Sequence, residues 1–388
     1  MFIDLDDFNK ANDIFGHQTG DRILVTTAAR LKNIVRTDDT VGRFGGDEFF
    51  ILIDNLSSQE SLVKISNKIL KALKKPFSIG QVNTLLSASI GISVYPDDGN
   101  TVEDLLVSAD LSMYSSKSAG KNSFTFFESS MRDTLNRQSS IEAALKGSLE
   151  RNEFHVVYQP KYEICSHTII GFEALVRWNN AKFTDSNPDE FIPLLEQMGL
   201  INDVGMFVLD NALSMIKKWQ GITQRPLQMA VNISPVQFND PALFQQIQQM
   251  LTKYNLTGHS LEIEITEGIL LDATRELKNT LSDMRKAKIA IALDDFGTGY
   301  SSLSYIKDYP INSIKIDRSF IEEMNKNKTH TALVNAMVSL AHSLDFHVTA
   351  EGIECDAQLS YLRELKCDIA QGYFLSRPIS AKQVTELL

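Results

Sequence analysis

Asp294-Asp295-Phe296-Gly297-Thr298-Gly299-Tyr300-Ser301-Ser302-Leu303 follows directly on the apolar run Ile289-Ala290-Ile291-Ala292-Leu293. The short, branched residues of that run read as a buried parallel strand. Successive strand side chains point to opposite faces, so adjacent acids serve one pocket only where the strand has ended and the backbone turns. Gly297 and Gly299 supply that turn, and Ser301 or Ser302 can cap a following helix. On its own an Asp-Asp-x-Gly segment is most often a capped loop with two solvated acids. The other strand ends of the chain reverse that reading.

Those ends lie between about residue 140 and residue 388. Short apolar runs recur at Phe154–Tyr158, Ile169–Phe172, Leu227–Val231, Leu261–Ile265, Ile289–Leu293, Ser313–Ile316, His347–Ala350 and Asp368–Gln371. Helical patterns such as Met206–Trp219, Leu243–Tyr254 and Thr331–Leu344 separate most of them. Eight strands alternating with helices predict a (β/α)8 barrel, whose chemistry sits at the C-terminal strand ends. Read there, the strands end in Gln159, Glu173, Asn232, Glu264, Asp294 with Asp295, Lys315 with Asp317, Glu351 and Gln371. Converged carboxylates repel unless cations sit between them. An all-oxygen donor set calls for hard ions such as Mg²⁺ or Mn²⁺.

The whole chain, 388 residues, is too long for one ordinary core, so two domains are expected. A net charge of −11 argues against nucleic-acid polymers or anionic lipid as partners. Cys165, Cys355 and Cys367 lack metal-type spacing and leave an odd thiol in any pairing, which fits a reducing cytoplasm. The seven histidines are scattered, and the apolar run from Ala332 to Leu344 is too short to span a membrane.

Residues 1–125 form the first expected domain, a smaller α/β unit. Phe2-Ile3-Asp4-Leu5 reads as a strand, and a helical pattern runs from Ile23 to Val35. Val41-Gly42-Arg43-Phe44-Gly45-Gly46-Asp47-Glu48-Phe49-Phe50 then reads as a hairpin with acids beside a glycine turn. Such a turn lets a nucleotide approach while an acid holds a metal on its phosphates, though a solvated tip with ordinary acids has the same pattern. Helices are expected near Ser61–Ala72 and Val102–Ser118, with a strand near Leu85–Val94. Lys117 and Lys121 suit either phosphates or a helix C-terminus. Between the domains, residues 126–150 read as a charged connecting helix carrying Met131, Leu135, Leu145 and Leu149 on a narrow stripe.

The first domain resembles the GGDEF family, whose signature stands here as Gly45-Gly46-Asp47-Glu48-Phe49, with Asp4, Phe8, Asn12, Asp13 and Gly16-His17-x-x-Gly20-Asp21 also matching. The resemblance implies a diguanylate cyclase fold, Mg²⁺ on Asp4 and Glu48, GTP contacts from Asn12, Asp21, Gly45 and Gly46, and phosphate contacts from Lys117 and Lys121. Arg36 and Asp39 resemble the family's RxxD inhibitory site, and also suit a charged helix end. Asn9 departs from the Lys that usually follows the Phe. The family's opening helix and DxLTGLxNR segment fall before the position of Asp4, so the domain is expected to lack one core face and part of its nucleotide pocket. GTP binding, a regulatory role or structural support is expected of it rather than cyclisation.

The second domain is similar to EAL domains, through Glu173-Ala174-Leu175-Val176-Arg177 and, in order, Asn232-Ile233-Ser234, Glu264-Ile265-Thr266-Glu267, Asp294–Leu303, Lys315–Phe320, Glu351–Glu354 and Gln371-Gly372-Tyr373. The resemblance implies a phosphodiesterase that hydrolyses cyclic di-GMP to linear pGpG with two Mg²⁺ or Mn²⁺ ions. Glu173, Asn232, Glu264 and Asp294 would hold one ion. Asp294, Asp295, Glu351 and Asp317 would shape the second, about 3.5–4 Å away as in other two-metal hydrolases. Lys315 would orient or deprotonate the attacking water, and Glu267 would brace the loop of Asp294 and Asp295. Arg177 would meet a substrate phosphate or form a structural salt bridge. Gln159 and Gln371, with Pro378 nearby, would meet guanine or ribose edges or stand as plain rim residues. Residues 179–186 depart from the family's loop, which touches no expected ligand. A homodimer through the second domain and a cytoplasmic location are expected, a longer parent chain being free to carry a membrane anchor. A cyclic di-GMP receptor and a bifunctional cyclase–phosphodiesterase are the competing functions.

Overall fold

The computed structural model describes residues 1–56, 58–79, 82–271, 274–298, 308–324 and 327–388. Its chain divides into two units, Met1–Ser140 and Ile141–Leu388.

In the first unit, β1 (Phe2–Leu5), β2 (Thr40–Gly45), β3 (Glu48–Leu52), β6 (Ala88–Ile92) and β7 (Phe124–Phe126) build one sheet in the order β2-β3-β1-β6-β7, while β4 (Phe77–Ile79) and β5 (Val82–Thr84) pair apart. Helices His17–Lys32 and Gln59–Leu73 bury Ile23, Leu31, Ile69 and Leu73 in one core with Ile3, Leu5, Phe49, Ile51 and Ile90. The helix Val102–Ser118, capped by Thr101 on Asp104 N, lies close on the sheet because its inward residues are small. Ser108, Ser112 and Ser116 are buried there, Ser116 Oγ donates to Ile90 O, and a Cβ on Gly91 would sit 1.8 Å from Ala109 O. Beside it opens an apolar groove of about 660 Å³, lined by Phe2, Phe44, Phe50, Tyr95, Val102 and Leu105 among others. The helix predicted over 126–150 is shorter, Ser129–Leu145, and its last buried residues Ile141 and Leu145 belong to the second unit.

The second unit is a closed eight-stranded barrel of β8 (Phe154–Glu163), β9 (Ile169–Trp178), β10 (Gln228–Asn232), β11 (Leu261–Thr266), β12 (Ala290–Phe296), β13 (Ser313–Ile316), β14 (His347–Ala350) and β15 (Ile369–Ala370). Six neighbouring pairs from β9 round to β15 are parallel. Strand β8 runs antiparallel to both its neighbours, β9 and β15. Strict alternation of strand and helix therefore fails at the start of the barrel. Only five residues separate β8 from β9, enough for a hairpin and too few for the crossover a parallel pair needs.

The alternation along the strands sorts side chains inversely to an ordinary half-buried sheet. Ile263, Ile265, Ile291, Leu293, Ile314, Ile316 and Val348 face outward and share a core with helix residues Leu213, Ile216, Leu281, Val334 and Val338. The intervening Glu262, Glu264, Ser313, Lys315 and Thr349 are buried on the other side, inside the barrel. A second cluster, with Ile141, Leu145, Phe154, Trp178, Phe191 and Leu195, adjoins the hairpin strands.

Candidate active site

Four carboxylates converge on one ammonium inside the barrel. Lys315 Nζ lies 2.7 Å from Glu264 Oε2, 2.7 Å from Glu351 Oε1, 3.2 Å from Asp294 Oδ1 and 3.7 Å from Glu173 Oε2. Lys315 is 1% exposed and Glu264 wholly buried. Asn232 Nδ2 donates to Glu173 Oε1 at 2.8 Å and to Glu264 Oε2 at 3.2 Å. Gln371 Nε2 donates to Glu173 Oε2 at 2.6 Å and to Gln159 Oε1 at 3.1 Å. Gln159, Glu173, Asp294, Lys315, Glu351 and Gln371 floor a cavity of about 240 Å³ that is also lined by Leu175, Arg318, Gly352, Glu354, Gly372 and Tyr373.

The reversal of β8 changes how two of these residues arrive. Gln159 and Glu173 were expected at strand ends, yet both lie mid-strand, facing each other in the antiparallel register of β8 and β9. The acid pair differs too. Strand β12 does not end at Leu293 but continues to Phe296, with a register shift between those residues. Asp295 itself takes the left-handed conformation, φ 54°, so the turn falls on the acid as well as on Gly297, φ 98°. Asp294 consequently points at Lys315, whereas Asp295 is exposed. Asp317 caps the short helix Arg318–Glu323 through Ser319 N, so its carboxylate is already engaged. Glu267 Oε2 accepts from Gly297 N at 3.3 Å, and its buried Oε1 has no partner among the described residues. Gly299 and residues 300–303 lie outside the described residues, and with them the expected cap at Ser301 or Ser302. Arg177 is half-buried and donates to the neighbouring Val176 O; Pro378 is half-buried and does not line the cavity.

Electrostatics in the cluster follow from burial and crowding. Burial pushes the Glu351 carboxyl up, with Asp294 and Glu173 adding to it against Lys315, to about 7. Burial opposes ionisation of Glu173 as well, but the Lys315 ammonium, the Gln371 hydrogen bond and Lys161 outweigh it and lower it to about 2. Glu264 is driven up by burial and by Glu173. Although Asp295 is exposed as a residue, partial desolvation of its carboxyl, then Asp294 and Asp317, raise it against Lys315. Lys315 is held firmly charged: burial works against it, and Glu173, Glu264, Glu351 and Asp294 together overcome that cost.

Among the described residues, no three His, Cys, Asp or Glu side chains are arranged to hold a metal ion. The Lys315 ammonium sits among the carboxylates and contacts Glu264, Asp294 and Glu351. The donor chemistry nonetheless fits a hard divalent cation. Glu173, Glu264, Asp294, Glu351 and the Asn232 carboxamide are all oxygen donors, and two ammoniums, Lys315 and the Lys161 shared with Glu262, leave these carboxyl groups undercompensated.

Lys161 and Glu262 also belong to this region without having been singled out in the sequence, as do Arg318 and Tyr373, which stood in matched motifs but were given no role. Glu262 was legible: it stands two residues before Glu264, hence on the same face of β11.

In the first unit, Asp4 and Glu48 are cross-strand partners, and Lys117 Nζ binds Asp4 Oδ2 at 2.7 Å. Burial raises the Asp4 carboxyl despite that lysine. Lys121 pairs with Asp7 at 2.9 Å. Asn12 is tucked against Gly20, where a Cβ would meet its Oδ1 at 1.8 Å, and that buried oxygen has no partner among the described residues. Asp21 is exposed on its helix, and Gly45 ends β2 where Gly46 opens the turn, with open space beside both. Asp39 Oδ2 accepts from Arg36 N at 2.9 Å, closing an exposed turn beyond the helix end.

The EAL domain model matches residues 142–378, and the diguanylate cyclase, GGDEF domain model matches residues 1–123. The bifunctional diguanylate cyclase/cyclic di-GMP phosphodiesterase MucR of Pseudomonas aeruginosa is 38% identical over 387 residues, covering 99% of this chain and 56% of its own length. The cyclic di-GMP phosphodiesterase NbdA of the same organism is 32% identical over 388 residues, covering 100% of this chain and 50% of its own. The chain spans about half the length of the curated relatives it matches. A solved structure of the PaMucR phosphodiesterase in complex with c-di-GMP superposes with a TM-score of 0.61 at 35% identity, covering 63% of this chain and 99% of that one.

Proposed function

The chain belongs to the EAL domain family, with a GGDEF domain preceding the barrel, and from that membership we propose that it hydrolyses cyclic di-GMP to linear pGpG. The gathering of Glu173, Asp294 and Glu351 about Lys315 at the floor of a pocket, with Glu264 beneath them on the same ammonium, carries the reading. Two Mg²⁺ or Mn²⁺ ions are the cofactor. Glu173, Asn232, Glu264 and Asp294 would hold one and Asp294, Asp295, Glu351 and Asp317 the other, with Asp317 giving up its cap on Ser319. When bound, such ions supply a nucleophilic water at neutral pH and offset charge on the phosphoryl oxygens.

The protein's own groups do the rest. Lys315 keeps its proton at Nζ and directs it at the attacking water or a phosphoryl oxygen, a role a buried ammonium fills at little reorganisation cost. Gln371 and Asn232 fix both oxygens of Glu173, so that carboxylate is preorganised. Arg177 neutralises a substrate phosphate, and Gln159 and Gln371, with Pro378 nearby, meet the guanine or ribose edges. Glu267 steadies the turn after Asp295 through Gly297 N.

Purified protein with Mg²⁺ or Mn²⁺ is expected to convert cyclic di-GMP to pGpG, and Glu173→Ala to abolish the conversion. Substrate left intact under both metals would replace this reading with that of a receptor that binds without cleaving. None of the matched acids is missing, which favours the enzyme. The GGDEF domain is read as a GTP-binding regulator or support, with GTP changing the hydrolysis rate. A bifunctional enzyme is the second reading, favoured by the likeness to MucR and the matching Gly45–Phe49 turn; cyclic di-GMP formed from GTP alone would establish it. We also read the barrel domain as the dimer interface, which light scattering on the purified protein checks. Among the described residues no helix is long and apolar enough to cross a membrane.

A further inference from the structure

Beneath the carboxylate cluster lies a second buried ion pair that the proposed chemistry does not use. Lys161 on β8 and Glu262 on β11 are each 4% exposed, and Lys161 Nζ contacts Glu262 Oε1 directly. The other oxygen of Glu262 accepts from Ser313 Oγ at 3.2 Å. Lys161 Nζ also reaches Glu264 Oε1 at 3.4 Å. The two oxygens of Glu264 are thereby sorted. Oε1 faces Lys161, while Oε2 faces Lys315 at 2.7 Å and Asn232 at 3.2 Å.

We propose that Lys161 is a positioning residue, held by Glu262 which Ser313 in turn anchors, that fixes the Glu264 carboxylate so that Oε2 is presented to the divalent ion of the pocket. The terminal torsion of a glutamate is broad and two-fold, so packing of the stem does not decide which oxygen points where. A cation on one side does. Packing alone also gives no reason for Lys161. Barrel interiors are usually filled by layers of aliphatic side chains. Exchanging a buried ion pair for apolar groups is often neutral or stabilising. The second contact, to Glu264, supplies the missing reason. Because β8 runs against its neighbours, its inward residues Gln159 and Lys161 descend from the pocket toward the barrel interior. One strand thus serves the pocket at Gln159 and the layer below it at Lys161.

The inference rests on the reading of the pocket as a divalent-cation site, and the experiment separates the two. Mn²⁺ binding to the full chain is followed by electron paramagnetic resonance of the free ion, first on the wild type. No binding there would sink the metal reading itself, and this inference with it. Two double variants follow: Lys161→Met with Glu262→Met, and Lys161→Gln with Glu262→Gln. Each removes both charges together, so no buried charge is left unpaired. Circular dichroism and thermal melting are expected to match the wild type, while Mn²⁺ affinity falls by about 10–100-fold, the range seen when partners of metal ligands are lost. In hydrolysis, kcat falls and KM for cyclic di-GMP is unchanged. A folded double variant with wild-type Mn²⁺ affinity would overturn the positioning role while leaving the metal reading intact. Failure of both double variants to fold would assign the pair to the fold alone, which equally overturns it.

Discussion

Lys315 shows how much one side chain can carry. Its ammonium is the shared counter-charge of Glu173, Glu264, Asp294 and Glu351, all within 3.7 Å or less of Nζ. Replacing it with Met leaves those acids facing one another, and removing one partner of a buried pair typically costs about 3–5 kcal/mol. Lys315→Met is therefore expected to melt well below the wild type in EDTA and to recover with added Mg²⁺ by more than the wild type does. Its hydrolysis should stay abolished, because the ion does not restore the ammonium that orients the attacking water. Calorimetric melts with and without Mg²⁺ check this, and an equal Mg²⁺ effect on both proteins would contradict it. At this scale the sequence was informative about identity and poor about posture. Asp294 and Asp295 were legible as a pair, but which one enters the pocket depends on the φ of 54° at Asp295. Lys315 was legible as a cation among acids, but its seat at their centre follows only when four strands converge.

The hairpin β8–β9 is the element that sets this barrel apart from a strict repeat, and its outer end is tied by Glu153. That carboxylate accepts from Arg151 Nε, Trp178 Nε1 at 3.0 Å and Asn180 Nδ2 at 3.0 Å. The Arg151 hydrogen bond, then those from Asn180 and Trp178, hold it down to about 2, against the effect of partial burial and from an ordinary value of 4.5. A carboxylate depressed on folding stabilises fully above its unfolded pKa, and the gain disappears as pH falls through the folded value. The stability difference between wild type and Glu153→Gln should accordingly be constant above about pH 5 and shrink between about pH 4.5 and 2. Urea titrations across that range measure it, and a pH-independent difference would contradict it. A second element prediction concerns the turn after β15. A Cβ on Gly372 would sit 2.2 Å from Ile353 N and 2.3 Å from Ile353 O, both backbone atoms. Gly372→Ala is expected to displace the neighbouring Gln371 from Glu173 and lower kcat more than it lowers the melting temperature.

At the scale of the whole molecule, the buried clusters of the two units share no residue among the described ones. The barrel unit buries its apolar side chains among residues from Ile141 onward, and the sheet unit among residues up to Met113. A fragment of residues 141–388 is expected to fold cooperatively by itself and to keep the Mn²⁺ affinity and hydrolysis of the full chain. A molten or insoluble fragment, judged by near-ultraviolet circular dichroism, would count against this.

Sequence alone determined the two-part organisation and the barrel, and it singled out Glu173, Asn232, Glu264, Asp294 and Glu351 as candidates, because strand periodicity and motif spacing are local properties that survive without coordinates. In Leu261-Glu262-Ile263-Glu264-Ile265 even the two-faced character is written out. What it leaves open is which face turns inward, since period two describes an apolar core beneath a charged surface equally well. Tertiary structure decided that: helices cover the outside of the barrel and take the isoleucines, so the charges go in and must find partners there. From the same cause come the pairing of Lys161 with Glu262 and Glu264 and the place of Lys315 among four acids. Each joins residues far apart in the chain, and closing the barrel is what brings their charges within reach of one another.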